Sequence, residues 1–339
     1  MTESKAMILG CAGKSLTEDE IRFYRDERPW GFILFARNIG DPAQISDLVA
    51  SLRDAVGRPQ APVFIDQEGG RVQRLRPPIA PNYPAGSAIG ALYRQDRAAG
   101  LRSAWLLARL HAFDLLRFGI TADCLPVLDV PIEGASDVIG TRAYGKDPKT
   151  VAALGGAAAE GLLSGGVLPV MKHMPGHGRA FSDTHFELPT VDTPLEELRR
   201  HDFAPFKALS HLPIGMTAHV VYSAVDPDGP ATTSERVVRE IIRGEIGFDG
   251  LLVSDDTSMK ALSGDFPQKA AAILAAGVDI VLHCNGVMDE MAGIASKTLP
   301  LSGKSLERAE KALSYVKDRD QTAETEARAE FARYFEAVA

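Results

Sequence analysis

APVFID, residues 61–66, is five apolar residues closed by a carboxylate. A strand with one wet face alternates apolar and polar residues. This one does not, which is how a strand of a parallel sheet covered on both faces reads. Seven further runs have the same character: AMILGC (6–11), GFILFA (31–36), ITADCLPVLDV (120–130), VLPVMKH (167–173), IGMTAHV (214–220), GLLVSD (250–255) and VDIVLHC (278–284). Between them lie helix signals. Thr17-x-x-Glu20 is a capping box, and Asp41-Pro42-x-Gln44 and Thr193-Pro194-x-Glu196 place proline at the first helical position. Leu101 to Phe118 reads as a helix closed by Gly119, and Val151 to Leu163 as one ending at Gly165-Gly166. Ser234 is placed to cap a helix running to Glu245, and Gln268 to Ala276 closes at Gly277.

Eight strands alternating with helices in 339 residues predict an α/β fold of the (β/α)8 TIM-barrel type. A doubly wound sheet is the alternative. The first strand is followed by GCAGKS, which has neither dinucleotide-binding nor P-loop spacing. No linker divides the chain, so one domain is expected over 1–339, with 320–339 as a C-terminal helical tail. The longest irregular part is 76–100, expected to be a functional loop or lid.

The composition is that of a globular protein, 45% hydrophobic and 24% charged, with a net charge of −8 and no Lys/Arg run. This argues against a nucleic-acid partner. Cys11, Cys124 and Cys284 are isolated and odd in number, as buried free thiols of a reducing compartment would be. The N-terminus lacks the basic and apolar segments of a signal peptide. No apolar run approaches the ~20 residues of a membrane span. A soluble cytoplasmic protein is expected.

In a barrel of this kind the active site forms at the C-terminal strand ends. Six of the eight expected strands end in charged or titratable residues: Asp66, Asp129, Lys172-His173, His219, Ser254-Asp255-Asp256 and His283. Such groups are costly beside a core, and the pattern points to an enzyme. The stretch KHMPGHGRAFSDTH, 172–185, gathers three of the eight histidines. His173 and His177 have the spacing of a zinc helix, but Pro175 and Gly176 interrupt it and the glutamate of HExxH is absent. No metal site is expected. Asp183 and His185, at i and i+2, share a face of an extended segment, where the carboxylate orients the imidazole as an acid/base. A surface Asp and His in a polar loop is the plain alternative. Asp255 is a candidate nucleophile. Equally, Asp255 or Asp256 could merely cap the following helix.

GFILFARNI, FIDQEGGRVQRL, LPVLDV, VIGTRAYG, VMKHMPGHG with SDTH, MTAHVVY, PATTS and GFDGLLVSDDTSM occur here in order. Together they resemble the glycoside hydrolase family 3 β-N-acetylglucosaminidases of the single-domain cytoplasmic type, over nearly the whole chain. The resemblance implies a (β/α)8 barrel and a retaining, exo-acting enzyme that removes non-reducing terminal GlcNAc from muropeptides. These are GlcNAc-anhydro-N-acetylmuramic acid with or without peptide, in peptidoglycan recycling. It implies Asp255 as nucleophile, His185 as acid/base with Asp183 as its partner, and Asp66, Arg74, Arg142, Lys172 and His173 as sugar-binding residues. Gly69-Gly70 would let the backbone approach the sugar. No cofactor, metal, membrane or nucleic acid is implied, and a monomer is expected. His177 is expected to shape its loop, while His219 and His283 read equally as core residues or ligands. Rival readings are a β-glucosidase or β-xylosidase, a GlcNAc phosphorylase, and a catalytically silent GlcNAc-binding protein. The chain departs from the family pattern at Met174, at Arg179-Ala180-Phe181, at Thr184 and at Thr257. These positions bear on the loop and on leaving-group preference.

Overall fold

The computed structural model describes residues 3–181, 188–316 and 319–335. Eight parallel strands form one sheet: β1 (Lys5–Leu9), β2 (Pro29–Leu34), β3 (Val63–Ile65), β4 (Ala122–Asp123), β5 (Leu168–Met174), β6 (Ile214–Thr217), β7 (Leu251–Val253) and β8 (Val281–His283). Sequence neighbours are spatial neighbours from β1 to β7, and β1 also pairs with β8. A parallel bridge between Val253 and Ile280 joins β7 to β8 and closes the barrel. Each expected run contains a strand.

The fourth run differs most from expectation. ITADCLPVLDV forms ladder only at Ala122–Asp123, with one further bridge from Val127 to Lys172. Pro126 has no N–H to give, and the backbone from there to Asp129 runs as an irregular ledge beside β5.

Alternate residues of the strands fall in two cores. Ile8, Phe64, Cys124, Val170, Met216, Val253 and Leu282 fill the barrel. Met7, Phe32, Ile65, Met171, Leu252 and Val281 pack toward the surrounding helices. Both faces are apolar, which is why the runs show no alternation.

Thr17 and Glu20 form the expected capping box on the helix Glu18–Glu27. Asp41 and Asp265 cap the helices Pro42–Ala55 and Phe266–Ala275. The Thr193 signal is different: the helix Leu195–Arg200 starts after Pro194 and has no side-chain cap. The long helix starts earlier than expected, at Arg97, because Asp96 accepts from the N–H groups of Ala98 and Ala99. Ser234 accepts from the N–H of Val237, and the segment Val237–Glu245 is wound as a π-helix. The stretch 76–100 is not irregular throughout, since it contains the helix Gly86–Gln95. The helix Glu324–Ala332 docks on Arg97–Leu116 through Arg328, which pairs with the buried Asp114 and donates to Tyr83. Among the described residues, no helix is long and apolar enough to cross a membrane.

Candidate active site

The inward stripe of each strand does not stop where the barrel ends. Phe64 is followed two residues on by Asp66, Val170 by Lys172, and Val253 by Asp255. Period-two geometry keeps each pair on one face, so the polar residues emerge above the apolar filling. There they line a cavity of about 170 Å3, floored by Ile33, Met216 and Leu282 and walled by Asp66, Arg74, Arg142, Lys172, His173, His177 and Asp255.

One wall is an ion network. Lys172 Nζ lies 2.8 Å from Asp66 Oδ1 and 2.7 Å from Glu68 Oε1. Arg74 Nη2 donates to Asp66 Oδ2 at 2.9 Å, with its guanidinium over the Phe35 ring. Arg142 grips Glu68 with two bonds of 2.8 Å. Burial alone would raise the carboxyls, but Lys172 and Arg74 hold Asp66 far below the usual range, and Arg142 and Lys172 hold Glu68 low. Burial would likewise discharge Lys172, and the two carboxylates outweigh it and keep the ammonium charged. The wall is thus fully ionised, with oriented donors and acceptors for hydroxyls.

Glu68 was missed by sequence reasoning. The available signal was its spacing, two residues after Asp66 on an extended segment. Gly69 and Gly70, expected to let the backbone approach the sugar, also turn the chain. Both have positive φ in the hairpin between Gln67–Gly69 and Val72–Gln73, and a Cβ on Gly69 would stand 2.3 Å from the Pro84 carbonyl oxygen. They turn the hairpin and let it pack on the Pro84 segment.

Asp129 is marked in the sequence as a strand-end carboxylate, but its role is not legible there. Its Oδ2 lies 2.7 Å from His173 Nδ1, and its Oδ1 accepts from the backbone N–H groups of His173 and His177. Burial raises this carboxyl, but the two histidines outweigh it and bring it to about 2. An ionised carboxylate only accepts, so His173 Nδ1 carries the hydrogen. His177 does shape the loop through its N–H. Its ring also lines the cavity, edge-on to His173 with centroids 5.6 Å apart.

Burial and then His173 push the His177 imidazole down to about 4 from 6.5. Its folded pKa is depressed, so the stability it contributes is complete above pH 6.5 and declines as pH falls toward 4, while the unfolded chain takes the proton first. Urea unfolding across that window should show a loss of up to ~3 kcal/mol from this residue. His177→Asn should have a shallower pH slope, and an unchanged slope would contradict the assignment.

The two adjacent aspartates divide their roles. Asp256 Oδ1 accepts from the N–H groups of Ser258 and Cys284, and Ser258 Oγ donates to its other oxygen, so it ties the turn after β7. Asp255 accepts from one backbone N–H, that of Asp256 at 2.8 Å, and its Oδ2 has no hydrogen-bond partner among the described residues. Burial would raise the Asp255 carboxyl. His219, His173, the Asp256 N–H and Lys172 outweigh it, and the group is held below its ordinary value.

His219 lies behind Asp255, buried and outside the cavity lining. His283 belongs to the core, bonded to Thr257 and edge-on to Phe266. Asp183 and His185 lie outside the described residues. The chain leading to them is held at Arg179, whose guanidinium is buried against Asp202 at 2.6 Å and Glu197 at 2.9 Å. Among the described residues, no three His, Cys, Asp or Glu side chains converge as a metal site requires.

A part-buried carboxylate facing a small cavity, with a charged array for hydroxyls on its other wall, describes a glycoside hydrolase, and comparison with known proteins narrows that class. Residues 16–315 match the glycosyl hydrolase family 3 N terminal domain. A β-hexosaminidase of Pseudomonas aeruginosa is 40% identical over 283 residues, 83% of this chain and 82% of that protein. One from Bordetella avium is 39% identical over 82% of this chain and 80% of its own length. The crystal structure of NagZ from Neisseria gonorrhoeae in complex with N-trifluoroacetyl-D-glucosamine superposes with a TM-score of 0.88 at 31% identity, covering 99% of both chains. The chain belongs to glycosyl hydrolase family 3.

Proposed function

We propose that the protein is a retaining exo-β-N-acetylglucosaminidase. The observation that carries this reading is Asp255: held below its ordinary pKa, on the inward stripe of β7 and lining the cavity, with one oxygen that has no hydrogen-bond partner among the described residues. The cavity takes one terminal sugar, as exo action requires. Asp66, Arg74, Lys172, Arg142 and His173 bind its hydroxyls and acetamido group. Asp255 attacks the anomeric carbon, the glycosidic bond breaks, and the proton on the leaving oxygen comes from His185, oriented by Asp183. Water then displaces Asp255 while His185 takes its proton, giving net retention.

The β-hexosaminidase relatives and the aminosugar held by the gonococcal protein support an N-acetylhexosamine over a plain hexose. The substrate we assign is GlcNAc linked to anhydro-N-acetylmuramic acid, with or without peptide, cleaved in the cytoplasm during peptidoglycan recycling by a monomer without a cofactor. The test compares an aryl β-N-acetylglucosaminide with the matching β-glucoside. A preference for the first of about a hundredfold or more is expected, the scale at which a site that hydrogen-bonds a substrate group rejects its absence. A preference for the glucoside would keep the barrel and nucleophile and overturn the substrate.

A further inference from the structure

We propose that Thr217, Thr232 and His219 form a closed hydrogen-bonded circuit that fixes the Asp255–Asp256 peptide, making Thr232 and His219 positioning residues for the nucleophile. The inference rests on the reading of Asp255 given above.

None of the three is exposed and none lines the cavity. His219 Nε2 is 3.0 Å from the carbonyl oxygen of Asp256. A carbonyl only accepts, so Nε2 carries a hydrogen. Burial holds this imidazole below its ordinary value against the pull of Asp255 and Asp256, with His173 adding to the effect of burial. The ring is therefore neutral and Nδ1 must accept. Its partner is Thr232 Oγ1 at 2.8 Å, so Thr232 donates there. The Thr232 oxygen then accepts from Thr217 Oγ1, 2.8 Å away, and the Thr217 oxygen accepts from the N–H of Asp255 at 3.4 Å.

Each hydroxyl gives one hydrogen and takes one, so the direction of every bond follows from the first. The Ala218 carbonyl, 3.0 Å from Thr232 Oγ1, competes for the same hydrogen. Giving it up would leave lone pairs of Thr232 and Nδ1 facing each other in a dry site, the costlier arrangement.

The circuit starts at the N–H of Asp255 and ends at the C=O of Asp256. It therefore holds both sides of the peptide whose own N–H is bonded to Asp255 Oδ1. Fixing the peptide fixes the carboxylate and leaves Oδ2 aimed into the cavity. Reaction rates respond to such aim, with roughly a hundredfold lost for a misplacement of ~1 Å.

Thr232→Val keeps the shape and deletes the hydroxyl, while Thr232→Ser keeps the hydroxyl. With an aryl β-N-acetylglucosaminide, Thr232→Val is expected to lower kcat roughly 10- to 100-fold with KM little changed, and Thr232→Ser to recover most of the loss. Thr217→Val breaks the circuit one link nearer the nucleophile, should show the same split, and decides the matter should Thr232→Val not fold. A merely structural role would lower Tm without that split. A wild-type kcat in Thr232→Val, or equal loss in the Val and Ser variants, overturns the circuit while leaving the nucleophile intact. Unchanged turnover in the Asp255→Asn variant overturns the reading of Asp255 instead.

Discussion

Asp255→Asn should lower turnover of an aryl β-N-acetylglucosaminide by about four orders of magnitude, on the scale of losing a catalytic nucleophile. That corresponds to roughly 5 kcal/mol of barrier. The substitution is isosteric, and the amide oxygen still accepts from the Asp256 N–H, so the fold and sugar binding should persist. What goes is the charge that attacks the anomeric carbon. The sharper control is Asp255→Ala with added azide. A small anion that enters the vacated space should restore bond cleavage and give a glycosyl azide of inverted configuration. Residual activity within tenfold of wild type in both variants would move the nucleophile elsewhere.

Lys172→Met should damage both stability and binding. The ammonium is buried between Asp66 and Glu68, at 2.8 and 2.7 Å. Methionine fills the space and leaves two carboxylates sharing a dry wall with Arg74 and Arg142 alone. Breaking a buried pair from one side costs roughly 3–5 kcal/mol, so a clear drop in Tm is expected, together with a large rise in KM. Adding Glu68→Gln should recover part of the stability, because one carboxylate no longer needs a cation, without recovering binding. A single variant as stable as wild type would mean that water or a rearranged arginine replaces the ammonium.

Much of this was legible in the sequence, for a geometric reason. A residue at a strand end inherits the face of the residue two before it, so Phe64, Val170 and Val253 announce where Asp66, Lys172 and Asp255 point. The helix caps at Thr17 and Asp41 were legible because they are local. Partners that join distant segments were not. Glu68 matters through Arg142, which sits on the short turn Gly140–Arg142. Asp129 matters through His173 and the His177 backbone, and it lies on a ledge that reads in sequence as ordinary strand. The packing of Gly69 on Pro84 is a contact that no local pattern encodes. The directions of the bonds among Thr217, Thr232 and His219 needed the distances themselves. The expected acid/base pair, Asp183 and His185, lies outside the described residues, and its role rests on the resemblance.

The pairing of β1 with β8 has a consequence for the chain's synthesis. During translation at ~5–20 residues per second, the first strand waits for the last with one edge unpaired and its apolar faces uncovered. Neighbouring strands β1 to β7 can add one by one as they emerge, but the ring cannot shut until β8 has left the ribosome. The segment bearing Asp255 precedes β8 closely, and the Cys284 N–H that Asp256 accepts follows it. The nucleophile therefore acquires its final setting only at ring closure, and an incomplete chain holds no assembled site. Through that interval the nascent protein exposes a strand edge of the kind that invites association with other chains.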